Sequence, residues 1–165
     1  MDFVEDIRHG AIFIYPTDTI YGLGCDATNV ESVAMIRKIK YRDGDKPTSI
    51  IAPSIEWIKE HCIIDDELLD KYLPGPYTLI LKKKNPEFLK HVSANDSLGV
   101  RIPDCEFTAL VEKAGVPFIT TSVNFVGEPF AIKISDVAHE ILDAVDIVMG
   151  VGELDGRPST LVVGG

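Results

Sequence analysis

Cysteine, histidine and tryptophan are scarce in this 165-residue chain, and each scarcity closes off a class of chemistry. The three cysteines, Cys25, Cys62 and Cys105, form no CxxC pair and cannot all be bridged, so buried or incidental thiols in a reducing compartment are expected instead of a disulfide framework. The four histidines, His9, His61, His91 and His139, are scattered without ligand spacing, and no metal site is expected from them. No apolar run approaches the ~18–20 residues needed to cross a bilayer. The first six residues, Met1-Asp2-Phe3-Val4-Glu5-Asp6, lack the basic stretch of a secretory signal. A cytoplasmic protein with no membrane association is the expectation. There is no P-loop, no GxGxxG fingerprint and no legible Ser–His–acid triad.

Positive charge is also in deficit. Sixteen Lys and Arg face 26 Asp and Glu, a net charge of −10, which disfavours extended counterion-releasing contact with nucleic acid. What is present is enough apolar side chain, 45%, to offset the entropy of ordering. The length fits one core, since cores split only at roughly 250–300 residues. A single domain over residues 1–165 is expected.

Apolar runs alternate with amphipathic ones. The pattern predicts a short helix over 3–9 ended by Gly10, a strand over 11–15 closed by Pro16, and a loop from Thr17 to Thr28. Asn29 is a predicted N-cap for a helix through Lys40, and Ser54 for one carrying Ile55 and Ile58. Three acids, Asp65, Asp66 and Glu67, suit the first turn of a further helix, stopped by Pro74-Gly75-Pro76. Strands are predicted at 49–52, 77–81, 98–102, 116–121, 147–149 and 160–163, with a helix at 105–114 ended by Gly115 and a capped helix at 135–142. Helices fall between strands without a regular βαβ period, so a mixed sheet is predicted over a wholly parallel one.

Three loops carry more polar groups than turns require. Thr17-Asp18-Thr19-Ile20-Tyr21-Gly22-Leu23-Gly24 follows a buried strand, where open α/β sheets place ligands; an Asx- or Ser/Thr-stabilised turn explains it equally well. Arg37, Lys38, Lys40, Arg42 and Lys46 put five cations within ten positions of an acidic chain. The helix dipole accounts for Arg37 and Lys38, but Arg42 and Lys46 lie beyond the helix, where they suit a phosphate chain. Lys82-Lys83-Lys84 has no polar loop beside it and reads as a solvated strand edge. Thr120-Thr121-Ser122-Val123-Asn124 offers small hydrogen-bonding groups at a strand end, able to orient a ligand or to cap their own loop. Arg101, between Val100 and Ile102, needs an acidic partner or an anionic ligand. Together these residues imply a pocket for an anionic substrate and a chemistry of positioning and charge stabilisation, as in nucleotidyl or phosphoryl transfer.

Pro16 to Gly24, Lys40-x-Arg42 with Lys46-Pro47, Pro74-Gly75-Pro76-Tyr77-Thr78, Gly99-Val100-Arg101-Ile102-Pro103, Thr121-Ser122-Val123-Asn124 with Gly127, and Pro158-Ser159-Thr160 occur in this order. In that order they resemble the YrdC/TsaC-type L-threonylcarbamoyladenylate synthases. The resemblance runs from about Gly10 to Val163 and implies a YrdC-like open, twisted mixed sheet flanked by helices, with a basic concave pocket, in a short single-domain form. It implies joining of L-threonine, bicarbonate and ATP into threonylcarbamoyl-AMP with release of pyrophosphate, for modification of adenosine 37 in tRNA by a downstream threonylcarbamoyl transferase. Thr19, Arg101, Ser159 and the backbone near Thr120 map onto threonine contacts. Lys40, Arg42, Lys46, Ser97, Ser122 and Asn124 map onto ATP contacts, with Lys40 and Arg42 in the catalytic role and Mg²⁺ arriving with the nucleotide; no tightly bound cofactor is implied. Ile51 stands where many relatives carry histidine, and Phe130 where they often carry serine. Two other readings use the same likeness: a paralogue handling another carbamoyl-type adenylate, and a non-catalytic RNA-binding module. Few aromatics flank the basic loop to stack bases, which weighs against direct RNA binding.

Overall fold

A computed structural model describes residues 2–40, 47–124, 128–154 and 156–163. The elements run α1 (Phe3–Arg8), β1 (Phe13–Pro16), β2 (Tyr21–Gly24), α2 (Val30–Ile39), β3 (Ser49–Ile51), α3 (Ile55–His61), β4 (Cys62–Ile63), α4 (Asp66–Tyr72), β5 (Tyr77–Lys83), β6 (Ser97–Arg101), α5 (Phe107–Ala114) and β7 (Phe118–Ser122). A 3₁₀ turn (Ile134–Asp136), α6 (His139–Ala144), β8 (Ile147–Val148) and β9 (Thr160–Val163) complete them. Among the described residues the strands form one open sheet in the order β4-β5-β6-β3-β7-β2-β1-β8, with β9 also on β5. The sheet is mixed, as the sequence predicts: β1/β8, β3/β6 and β5/β9 pair parallel and the rest antiparallel.

Local signals act as read. Asn29 Oδ1 accepts from the Ser32 amide at 3.1 Å, and Ser54 Oγ from the Trp57 amide at 3.0 Å, each satisfying an orphan donor of a helix's first turn. Helix α5 ends on Gly115 in the left-handed region, φ +74°.

Strand alternation then divides the molecule. Ile12, Ile14, Leu23, Ile50, Val100 and Ile119 point to one face of the sheet, where Val33 and Ile36 of α2, Ile58 of α3, Leu69 of α4 and Ile141 of α6 cover them. Phe13, Tyr15, Ile51 and Phe118 point to the other face, under Ile7 of α1 and Phe107 and Val111 of α5. Tyr15 stacks on Phe107 with centroids 4.3 Å apart, and its hydroxyl donates to the Ile119 carbonyl at 3.0 Å. Burial of that ring pushes the phenol pKa well above its ordinary value. Burial does the same to the Cys25 thiol and takes Cys62 up to about 11, so both are poor nucleophiles at neutral pH.

Four expectations need correction. The stretch 17–28 is not all loop, because Tyr21–Gly24 returns antiparallel to β1 as β2. Its two glycines break the apolar pattern for a packing reason: a Cβ on Gly22 would sit 2.8 Å from Tyr15 Cζ, its register partner's ring. The strand predicted at 11–15 begins at Phe13 and includes Pro16. The helix predicted at 135–142 is a 3₁₀ turn followed by α6, neither with a side-chain cap. Finally, Lys82-Lys83-Lys84 is no uniformly solvated edge. Strand β5 continues to Lys83, and that side chain is only 2% exposed.

The Lys83 ammonium donates to the carbonyls of Pro86, Phe88 and Ser93 at 3.0, 2.9 and 2.9 Å, fastening the segment between β5 and β6. Desolvation draws its pKa below the usual lysine value. Lys83→Met keeps the aliphatic stem and strands three carbonyls. It is expected to cost about 2–3 kcal/mol, given what unsatisfied buried polar groups cost, as read from urea unfolding. Among the described residues no helix is long and apolar enough to cross a membrane.

Candidate functional site

Two residues along the strands from the aromatic cluster, the same sheet face turns polar. Ser49 pairs with Gly99 on one side and Thr120 on the other, and Gly22 pairs with Ser122. Paired residues share a face, as do residues two apart in a strand. Gly99, Ser49 and Thr120 therefore form one row, and Arg101, Ser122 and Gly22 share its face in the rows on either side. No described helix lines this half of the face. A cavity of about 400 Å³ opens there, walled by Thr17, Thr19 and Ile20 of the β1–β2 turn, Thr78 of β5, and Pro158, Ser159 and Leu161 at the start of β9. The site lies across the sheet's face, whereas the loop after β1 by itself suggested a strand's end.

The turn owes its shape to hydroxyls. Thr17 Oγ1 donates to the Ile20 carbonyl at 2.6 Å and accepts from the Thr19 amide at 3.1 Å, so the Ser/Thr-turn reading of this loop holds alongside its place in the cavity wall. Ser159 is held by Thr78, their hydroxyls 2.7 Å apart, while β9 runs parallel to β5 from Tyr77↔Thr160.

Arg101 is 4% exposed and pairs with Asp18. Its Nη2 donates to Asp18 Oδ1 and to the Gly75 carbonyl, the latter at 3.2 Å. Its Nη1 makes one long contact with Thr19 Oγ1, 3.4 Å, and its Nε has no hydrogen-bond partner. A guanidinium has five donors, and here two are unmatched in a buried setting. It is also the one charged side chain among the described lining residues.

Lys40 is the C-cap of α2 and only 2% exposed. Its ammonium reaches across to the end of β7, donating to the Ser122 carbonyl at 2.6 Å and Oγ at 3.1 Å, and contacting Thr121 Oγ1 at 3.3 Å and Asn124 Oδ1 at 3.5 Å. Asn124 Nδ2 donates to the Glu128 carbonyl at 2.7 Å. Asn124 and Glu128 line a second cavity of about 410 Å³, which shares Phe130 with the first. Phe130, 44% exposed, thus stands between the two.

The structure therefore gathers Thr19, Arg101, Thr120, Ser122 and Ser159 around one cavity, with Lys40 and Asn124 against its Ser122 edge. Ser97 does not line it; its hydroxyl donates to Asn95 Oδ1 at 2.9 Å. Arg42, Lys46 and Gly127 lie outside the described residues. Ile51 is buried among the aromatics beneath α5. Arg37 is structural as expected, donating to the His91 and Val92 carbonyls at 2.7 and 3.0 Å. Sequence reasoning gave no role to Ser49, Thr78 or Asp18. Ser49 alternates with the apolar Ile50, a period-two signal that only the strand register turns into a place on the cavity floor.

The Sua5/YciO/YrdC family model, described as "Telomere recombination", matches residues 5–164. A protein of Methanocaldococcus jannaschii is 35% identical over 162 residues, covering 96% of this chain and 76% of its own. The threonylcarbamoyl-AMP synthase of Marinobacter nauticus is 32% identical over 170 residues, covering 96% of this chain and 87% of its own. The crystal structure of P. abyssi Sua5 complexed with L-threonine superposes with a TM-score of 0.82 at 26% identity, over 98% of this chain and 49% of Sua5. The chain thus spans about half of Sua5.

Proposed function

This chain belongs to the Sua5/YciO/YrdC family, and we propose that it condenses L-threonine, bicarbonate and ATP into threonylcarbamoyl-AMP, releasing pyrophosphate and water. One observation carries the reading: Thr19, Arg101, Thr120 and Ser159, from four separate stretches of sequence, line one cavity beside Lys40 and Ser122. A relative named threonylcarbamoyl-AMP synthase and one solved with L-threonine support it.

The threonine carboxylate takes the remaining Arg101 Nη1 donor, and Thr19, Ser159 and the Thr120 backbone orient the hydroxyl and amine. The amine attacks the bicarbonate-derived carbon, water departs, and a carbamate oxygen attacks the α-phosphorus, breaking its bond to pyrophosphate. Lys40 and Arg42 neutralise the charge that builds on the leaving phosphates; Lys46, Ser122 and Asn124 complete the nucleotide contacts. Mg²⁺ would be carried by the triphosphate and held largely by phosphate oxygens and water. Among the described residues no group of three His, Cys, Asp or Glu side chains converges to hold an ion independently. The product is an activated threonylcarbamoyl group, which a downstream transferase passes to adenosine 37 of tRNA.

Pyrophosphate release measured with ATP, L-threonine and bicarbonate tests this. Release is expected only when all three are present. Release indifferent to threonine would overturn the reading in favour of another carbamoyl-type adenylate.

A further inference from the structure

We propose that Asp18 is a positioning residue for amino-acid recognition: it holds Nη2 of the Arg101 guanidinium so that Nη1 stays fixed for the substrate carboxylate. The inference rests on the proposed threonine site and assigns a new residue to it.

The pair is not built as a stabilising pair would be. Arginine–carboxylate pairs are frequently bidentate, with both oxygens against two N–H groups. Asp18 gives Arg101 only Oδ1. Its Oδ2 accepts instead from the Asp104 amide at 3.0 Å, three residues beyond Arg101 on the same chain segment. The carboxylate thereby spans the β1–β2 turn and the segment leaving β6. The Gly75 carbonyl takes the second Nη2 donor, so rotation of the guanidinium is resisted from two directions. Of the rest, Nε is unpartnered and fully buried, and Nη1 keeps one donor beyond its long Thr19 contact, on a residue that lines the cavity. A buried pair contributes little net stability, and leaving donors unmatched costs more. The arrangement is explained if an anion completes it.

The charge of Asp18 works against that anion, and this gives the test its sign. Were the role of Asp18 merely electrostatic, removing its charge would strengthen threonine binding. If it positions Arg101, removal weakens binding, because the guanidinium is no longer held with Nη1 toward the ligand. A shift in geometry alone is enough to cost tenfold or more.

Asp18→Asn is compared with wild type by pyrophosphate release and by calorimetric titration with L-threonine, with thermal unfolding as the check on folding. The expected result is a rise of about 10-fold or more in KM and Kd for threonine, with KM for ATP within about 2-fold. Asp18→Glu, which keeps the charge and the acceptors one methylene further out, is expected to fall between wild type and Asp18→Asn. It decides alone if Asp18→Asn does not fold. Threonine affinity unchanged or tightened in the folded variant, or equal rises in both KM values, overturns the proposal. If wild type itself neither binds nor consumes threonine, the proposed function has failed and this inference falls with it. Wild-type turnover matched by the variant sinks only the role of Asp18.

Discussion

Arg101→Lys is expected to lower kcat/KM for L-threonine by about 100-fold, within the 2–5 kcal/mol that follows loss of one member of a buried hydrogen-bonded charge pair. The charge survives this substitution; the geometry does not. Arginine serves Asp18, the Gly75 carbonyl and Thr19 and still holds two unmatched donors on one rigid plane. An ammonium has three donors in all, at a single point on a flexible stem. It can satisfy Asp18 or a ligand carboxylate, but it cannot span the distance between them as the planar fork does. Arg101→Ala is expected to be worse, about 1,000-fold, and to lower the unfolding midpoint as well, since Asp18 then keeps only the Asp104 amide. Pyrophosphate release across a threonine series measures both. Turnover of Arg101→Lys within threefold of wild type would remove this guanidinium from carboxylate recognition.

The legible and the illegible parts of this molecule divide along physical lines. Short-range signals were readable: the Asn29 and Ser54 caps, the Gly115 stop, and the mixed order of strands and helices all act within a few residues. Arg101 stood out because a cation between two apolar strand residues must be paired, and it is paired with Asp18. Features that depend on a distant partner were not readable. Strand β2 was hidden because its glycines make room for neighbouring strands, Gly22 for the Tyr15 ring and Gly24 for the Ile119 carbonyl and the Phe118 ring. Lys83 looked solvated because its three carbonyl acceptors belong to a segment that folds back over it. Ser49 looked like an ordinary strand start until β3 was placed between β6 and β7. The cavity itself is a product of register: one sheet face is aromatic where α1 and α5 cover it and polar where no described helix does. No single segment contains that boundary. The family likeness assigned most of the gathered residues in advance; Asp18 lay within the Pro16–Gly24 stretch without a role of its own, and Ser49 emerged only from the register.

Lys40→Ala is expected to lower kcat by about 10²–10³-fold, the range seen when one preorganised charge-stabilising group is removed, while KM for L-threonine changes by less than about threefold. Its ammonium is nearly buried, and a charge removed from water acts on a neighbouring phosphate far more strongly than a solvated one. It is already fixed against Ser122, whose side chain lines the cavity, so little reorganisation is needed as the pyrophosphate leaves. The same hydrogen bonds give Lys40 a structural duty at the end of β7, and the two duties separate in the kinetics. Loosening of β7 would displace Thr120 and Ser122 together, raising KM for threonine and ATP alike and lowering the unfolding midpoint. Loss of transition-state charge neutralisation lowers kcat and kcat/KM for ATP in parallel, with the threonine subsite on β6 and the β1–β2 turn undisturbed. Lys40→Arg sharpens the distinction, because it keeps the charge but crowds the acceptors at Ser122 and Asn124. It is expected to retain more activity than Lys40→Ala even where it folds less stably, whereas a purely structural lysine would leave activity following stability in both variants.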